Sequence, residues 1–363
     1  MADLPTAPPG RADPSAARLI DGADASRLRA LDGLRGVAAI GVLLTHIGYV
    51  TGTPELAPIG ALGVDLFFML SGFVIGYAFE AKLLGAMRWR MFMAIRAARF
   101  IPALAIGVVL AAAAEIWLGR DSADLGRQVV LHLLLVPDVT SSLLFPLNGV
   151  LWTLFFELLL NAGHAAVVRR LSTPLLALVV VSCGCVWAWT AGQTGNWGGG
   201  WNWATVSGGA VRVGWAYGIG LLFYRLSASG RIRPPALSAS LPIVAAAVSL
   251  VAPTFGLGAS RIVVPLFLLL PLVVLLAAHS SIPHSRRRVA AWWGELSYPL
   301  YTMHTPLLLI CASLIGTRSD APAWWAVAGF SIVLTAAATA HLVETPARNW
   351  LKRRITVRRT RPG

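Results

Sequence analysis

The sequence predicts an all-α polytopic membrane protein, a bundle of about ten transmembrane helices. Three observations predict it. Of the 363 residues, 56% are hydrophobic and 13% charged, too apolar a balance for a soluble chain of this length. Apolar runs of membrane-crossing length recur from end to end, and in hydrocarbon only helices or closed barrels satisfy their own backbone. The basic residues also fall unevenly between alternate connections.

Residues 1–27, rich in Pro, Ala, Asp and Arg with no apolar core, read as a disordered cytoplasmic tail. Ten apolar runs follow, at 34–50, 59–80, 100–118, 147–168, 174–190, 204–224, 241–257, 261–279, 296–315 and 323–343. Residues 28–350 form one membrane domain, and 351–363 a basic cytoplasmic tail. The stretch 119–146 is too polar in places to cross, and its segment LGRQVVLHLLLVP reads as a partial or interfacial helix. The loop 191–203 is uncharged, and its Trp197, Trp201 and Trp203 suit an outer membrane interface.

With the N-terminus inside, 25 of the 30 basic residues fall on cytoplasmic segments, and Arg120, Arg127, Arg261 and Arg318 fall outside. Arg212 lies within a run. The positive-inside rule then places both termini in the cytoplasm of a plasma (inner) membrane. The net charge of +14 is thereby assigned to topology and not to nucleic acid. Cys183, Cys185 and Cys311 all sit in apolar runs and have no metal-ligand spacing, so no metal is expected.

Polar groups inside these runs mark function by default, because a bilayer penalises each one. Arg35 and His46 are eleven positions apart, which on a helix puts them within about 20° of one face and about 16 Å apart along it. Asp32 falls about 40° to the other side of that stripe. The second run holds Asp65 and Ser71. Arg96 and Arg99 share a face at the cytoplasmic boundary. Glu157, Asn161 and His164 form an inward stripe at i, i+4 and i+7, and Ser297, Tyr301 and His304 share a face further on.

In order along the chain stand LDGLRG with its Arg-x10-His spacing, GVDLFFMLSGF, the Arg-x-x-Arg of Arg96 and Arg99, Trp152 to Glu157, SYPLYTMHTP and VETPAR. Together these resemble the acyltransferase-3 family of integral membrane acyltransferases, over nearly the whole chain from Leu31 to about Trp350. The sequence departs from the family at Thr153, where Ser is commoner, and after Glu157, where Leu158–Leu160 replace a more polar continuation.

The resemblance implies transfer of an acyl group, commonly acetyl, from cytoplasmic acyl-CoA to a hydroxyl on a glycan or other secondary product. His46 suits a general base, because imidazole titrates near the operating pH, or a transient acyl carrier. Glu157 or Asp32 would orient the imidazole. Glu157 is the better placed by depth, since Asp32 sits about 21 Å away on a straight helix and suits pairing with Arg35 or an arginine of the next loop. Arg35, Arg96 and Arg99 would grip the phosphates of CoA, which guanidinium forks bind bidentately. Tyr301, His304, Ser71 and Asp65 are candidates for holding the acceptor; Ser71 alternatively packs beside Gly72, and Asp65 alternatively cages an arginine. A central cavity lined by the first, second, fourth and ninth runs would join these groups. Two rivals stand: a transporter, which would show repeated halves and broken helices, and a translocator that passes the acyl group to another protein.

Overall fold

The computed structural model describes residues 14–120, 124–235, 237–251, 260–317 and 322–357. Among them every regular element is a helix, with two isolated bridges, Leu143 with Asn202 and Ser238 with Ser281. The chain begins with α1 (Pro14–Thr51), then α2 (Ala57–Ile75), which runs through a π turn at Gly76–Glu80 into the short α3 (Ala81–Leu84). There follow α4 (Trp89–Trp117), α5 (Leu125–Leu133), α6 (Leu151–Val167), α7 (Thr173–Thr194) and α8 (Val206–Ala228). The second half comprises α9 (Ser240–Val251), α10 (Ser260–Val264), α11 (Leu270–His279), α12 (Arg287–Ile315), α13 (Pro322–Thr339) and α14 (Thr345–Val357). A π turn joins α10 to α11 and another joins α13 to α14.

Eight of these helical segments are long and apolar enough to cross a membrane, and α6 and α9 are shorter apolar helices. The ten together match the ten apolar runs of the sequence. Several helices outrun the apolar stretch that announces them. The first starts at Pro14, within the stretch read as a disordered tail, while residues 1–13 lie outside the described residues. The ninth run begins as helix at Arg287, where Arg-Arg-Val-Ala-Ala favours helix without being apolar. Hydropathy marks only the part meant for hydrocarbon. Residues 252–257 of the seventh run, Arg318, and 358–363 of the basic tail also lie outside the described residues. The doubtful stretch 119–146 supplies the nine-residue α5, too short to span.

Local signals explain the ends of α7. Ser172 caps its start, its Oγ accepting from the Leu175 backbone N–H at 3.4 Å, and Pro174 opens the first turn. Gly195 ends it in the left-handed region at φ 68°.

Helix α1 runs through the middle of the bundle, packed on α2, α9, α11, α12 and α13; α2 packs on α8, and α4 on α12. Small residues set the closest approach. A Cβ on Gly72 would overlap the Tyr217 carbonyl, and one on Gly220 would overlap that of Met69, so α2 and α8 meet backbone to backbone. Arg212 of α8 crosses the same contact to grip Asp65 of α2, its Nε 2.8 Å from Oδ1 and its Nη2 3.2 Å from Oδ2.

Candidate active site

The stripe on α1 leads from one end of the bundle toward the other. At its start Asp32 lies 3.3 Å from Arg29 and 3.5 Å from Arg35. About three turns of α1 beyond Arg35, His46 closes the stripe.

Two chambers lie along this stripe. The first, about 40 Å³, is lined by Arg35, Phe67, Thr153, Glu157, Ser297 and Tyr298, among others. It draws on α1, α2, α6 and α12, the four helices that carry the first, second, fourth and ninth apolar runs. Glu157 is its hub. Its Oε1 accepts from Ser71 Oγ at 2.7 Å and from Arg96 Nη2 at 2.9 Å, and its Oε2 accepts from Tyr298 Oη at 3.0 Å. Arg96 is buried and rests on the Phe100 ring, while Arg99 stacks its guanidinium over Tyr298 at 5.0 Å.

The second chamber, about 330 Å³, is lined by His46, Tyr49, Trp152, Trp201, Arg212 and Thr305, among others. The His46 Nδ1 lies 2.9 Å from the Val42 carbonyl oxygen, which can only accept. In the neutral ring the proton therefore sits on Nδ1, and Nε2 carries the lone pair. His304 repeats the arrangement through Leu300 at 3.0 Å, and its own Nε2 is buried without a partner among the described residues. The two rings meet edge to face, centroids 4.7 Å apart. Val64 and Tyr301 line both chambers and form the wall between them. The Tyr301 hydroxyl accepts from Thr153 Oγ1 at 2.8 Å.

A cap covers the second chamber. Its strands of loop meet where the Leu144 N–H donates to the Trp201 carbonyl and the Trp203 N–H to that of Ser142. The Arg212 Nη1 donates to the Gly199 carbonyl at 3.3 Å, tying the cap to the Asp65 pair. Beneath it, His132 Nε2 accepts from the Leu147 and Asn148 N–H groups. Burial holds that imidazole below its ordinary pKa and so in the neutral form that can accept. Asp138, anchored by Arg127 at 3.0 Å and by Thr140, has its carboxyl held down to about 2.

The structure brings Ser71, Arg96 and Glu157 into one cluster, Arg35 with Asp32 into a second, and His46 with His304 into a third. It does not bring Glu157 or Asp32 to the His46 ring. Asp65 and Arg212 are both committed to each other. Sequence reasoning missed Tyr298, whose only signal was its place one turn before Tyr301, and the part played by Arg212, whose signal was a lone charge inside an apolar run. Among the described residues no group of His, Cys, Asp and Glu is placed to hold a metal ion.

A family model described as an acyltransferase domain, that of acyltransferase-3, matches residues 28–341. The chain is similar to protein 2 in the picA locus of Rhizobium radiobacter, 35% identical over 168 residues, which are 41% of this chain and 87% of that protein. It is also similar to BcsY of Komagataeibacter xylinus, provisionally named a membrane-bound transacylase. There the identity is 32% over 119 residues, 32% of this chain and 28% of that protein. No solved structure matches. The chain belongs to the acyltransferase-3 family of multi-pass membrane proteins.

Proposed function

We propose that this protein transfers an acyl group, commonly acetyl, from cytoplasmic acyl-CoA to a hydroxyl of a glycan or similar exported product. The observation that carries the reading is the His46 ring. Its Nδ1–H is fixed on Val42 and its Nε2 lone pair is left for a chamber large enough for part of a sugar, beyond the Arg35 end of the same helix stripe. The distribution of basic residues supports putting the Arg35 end in the cytoplasm.

The chemistry follows from those positions. His46 Nε2 takes the proton of the acceptor hydroxyl as its oxygen attacks the thioester carbonyl carbon. The C–O bond forms, the C–S bond breaks, and the imidazolium returns the proton to the leaving thiolate. Trp152, Trp201 and Tyr49 give a sugar ring flat apolar faces, and Thr305 Oγ1, buried without a partner among the described residues, gives it a hydrogen-bonding group. Arg35 and Arg99 suit the CoA phosphates at the mouth. Arg96 instead holds Glu157, and Glu157 holds Tyr298, so these two position the donor's path without touching the imidazole. Asp65 acts on the acceptor only through Arg212 and the cap.

Turnover of acetyl-CoA by the purified full chain, wild type against His46→Ala, tests this. Loss of turnover in the variant is expected, and equal turnover would overturn the assignment. Radiolabelled acetyl-CoA without acceptor separates the two roles of the ring: label trapped on the protein, absent in His46→Ala, makes His46 an acyl carrier, whereas no trapped label leaves it a base.

A further inference from the structure

A further cavity lies on the other side of α1 from both chambers. It is a groove of about 580 Å³ between α9 and the start of α12, floored by α1. Its floor residues Gly33, Gly36, Val37, Ile40, Gly41 and Leu44 recur at helical spacing on one face of α1. From Gly33 to Leu44 the floor runs about 16 Å, at 1.5 Å per residue, and one leaflet of a bilayer's hydrocarbon is about 15 Å deep. The lining is apolar along that length, with Val244 and Ala247 on one wall and Trp293 on the other. Polar groups gather at one end, where the Ser238 and Ser240 hydroxyls lie 2.8 Å apart and Arg286 opens the basic run Arg286–Arg288. Among the described residues no carboxylate pairs with Arg286.

We propose that this groove is a binding site for an anionic phospholipid of the leaflet on the Arg35 side. One acyl chain lies along α1 between α9 and α12, and the phosphate sits on Arg286 with the two serines. Length, lining and charge all agree on this occupant. A chain alone fills the apolar part but leaves the guanidinium without an anion, and basic pockets between helices at a membrane surface take anionic head groups. The proposal is independent of the transfer chemistry, since no lining residue of the groove belongs to either chamber.

Native mass spectrometry of the full chain, released from nanodiscs of phosphatidylcholine doped with phosphatidylglycerol, tests it. Wild type is expected to retain phosphatidylglycerol roughly fivefold over phosphatidylcholine, the ratio that one arginine near an anionic surface supplies. Arg286→Glu should abolish the preference. Ala247→Trp, which fills the groove from its lipid-facing wall, should remove the retained lipid whatever its head group. Equal retention of both lipids by wild type would overturn the proposal, as would unchanged retention in Ala247→Trp. A dimer that Ala247→Trp splits would give the groove to a second copy of the chain and overturn it too.

Discussion

Arg96 donates to Glu157 at 2.9 Å, joining α4 to α6 across 61 residues of chain in the interior of the bundle. The bond decides how the arginines at this end divide. A guanidinium this committed holds the frame, whereas Arg35 pairs with Asp32 at 3.5 Å and Arg99 lies over the Tyr298 ring.

Removing one partner of that bond should cost more than removing both. Arg96→Met leaves the Glu157 carboxylate short of its cation, and a loss of ~3–5 kcal/mol is expected. Arg96→Met with Glu157→Leu should recover most of it. Thermal unfolding of the four members of the double-mutant cycle, in one detergent, measures the difference.

The mouth arginines should behave differently. Arg35→Ala and Arg99→Ala are expected to raise the apparent KM for acetyl-CoA roughly tenfold each, since a hydrogen bond to a charged group is worth ~1.5–3 kcal/mol. Their kcat should stay within about twofold, a change of less than ~0.5 kcal/mol in barrier. Steady-state kinetics checks both, and a fall in kcat alone would place these residues in the chemical step.

Asp65→Ala should act at a distance. It strands the Arg212 guanidinium in a site only 2% exposed, with an expected loss of ~3–5 kcal/mol. Asp65→Asn, which keeps one acceptor, should cost less. Hydrogen exchange would then report faster opening of the cap around Gly199, which Arg212 holds.

The pH dependence of the cap has a defined sign. Asp138 titrates at about 2 in the folded chain against an ordinary 3.8, so its contribution is complete above the unfolded value. That contribution is lost as the pH falls through the window from 3.8 toward about 2. Asp138→Asn should flatten the acid limb of cap protection in that window, read by hydrogen exchange of the Thr140 amide. An unchanged limb would remove Asp138 from the account.

The backbone contact between α2 and α8 gives the sharpest steric prediction. Gly220→Leu must displace the Met69 backbone, which has no flexible end to move aside. The variant should fail to yield a monodisperse protein on size exclusion, whereas Gly149→Ala, with open space around it, should leave the elution unchanged.

Much of this fold was legible in the sequence because lipid enforces a simple code. Each apolar run became a helix, and the stripe from Arg35 to His46 followed from helical period alone. Pairings between helices were less legible. Depth along the membrane suggested Glu157 for His46, but depth is one coordinate, and the rotation of α6 turns Glu157 toward Ser71, Arg96 and Tyr298. Asp65 has two readings, a group for the acceptor or the cage of an arginine, and the structure takes the second; the sequence does not show that the arginine is Arg212, 147 residues later. The cap was the least visible part. Its order comes from His132 and Asp138 binding backbone groups, contacts that leave no periodic trace.

The wall made by Val64 and Tyr301 has a bioenergetic side. A bundle with titratable groups at both ends of one row risks becoming a wire for protons across whatever membrane it spans. A branched aliphatic group and a phenol clamped by Thr153 stand between the two chambers, where such a wire would have to pass.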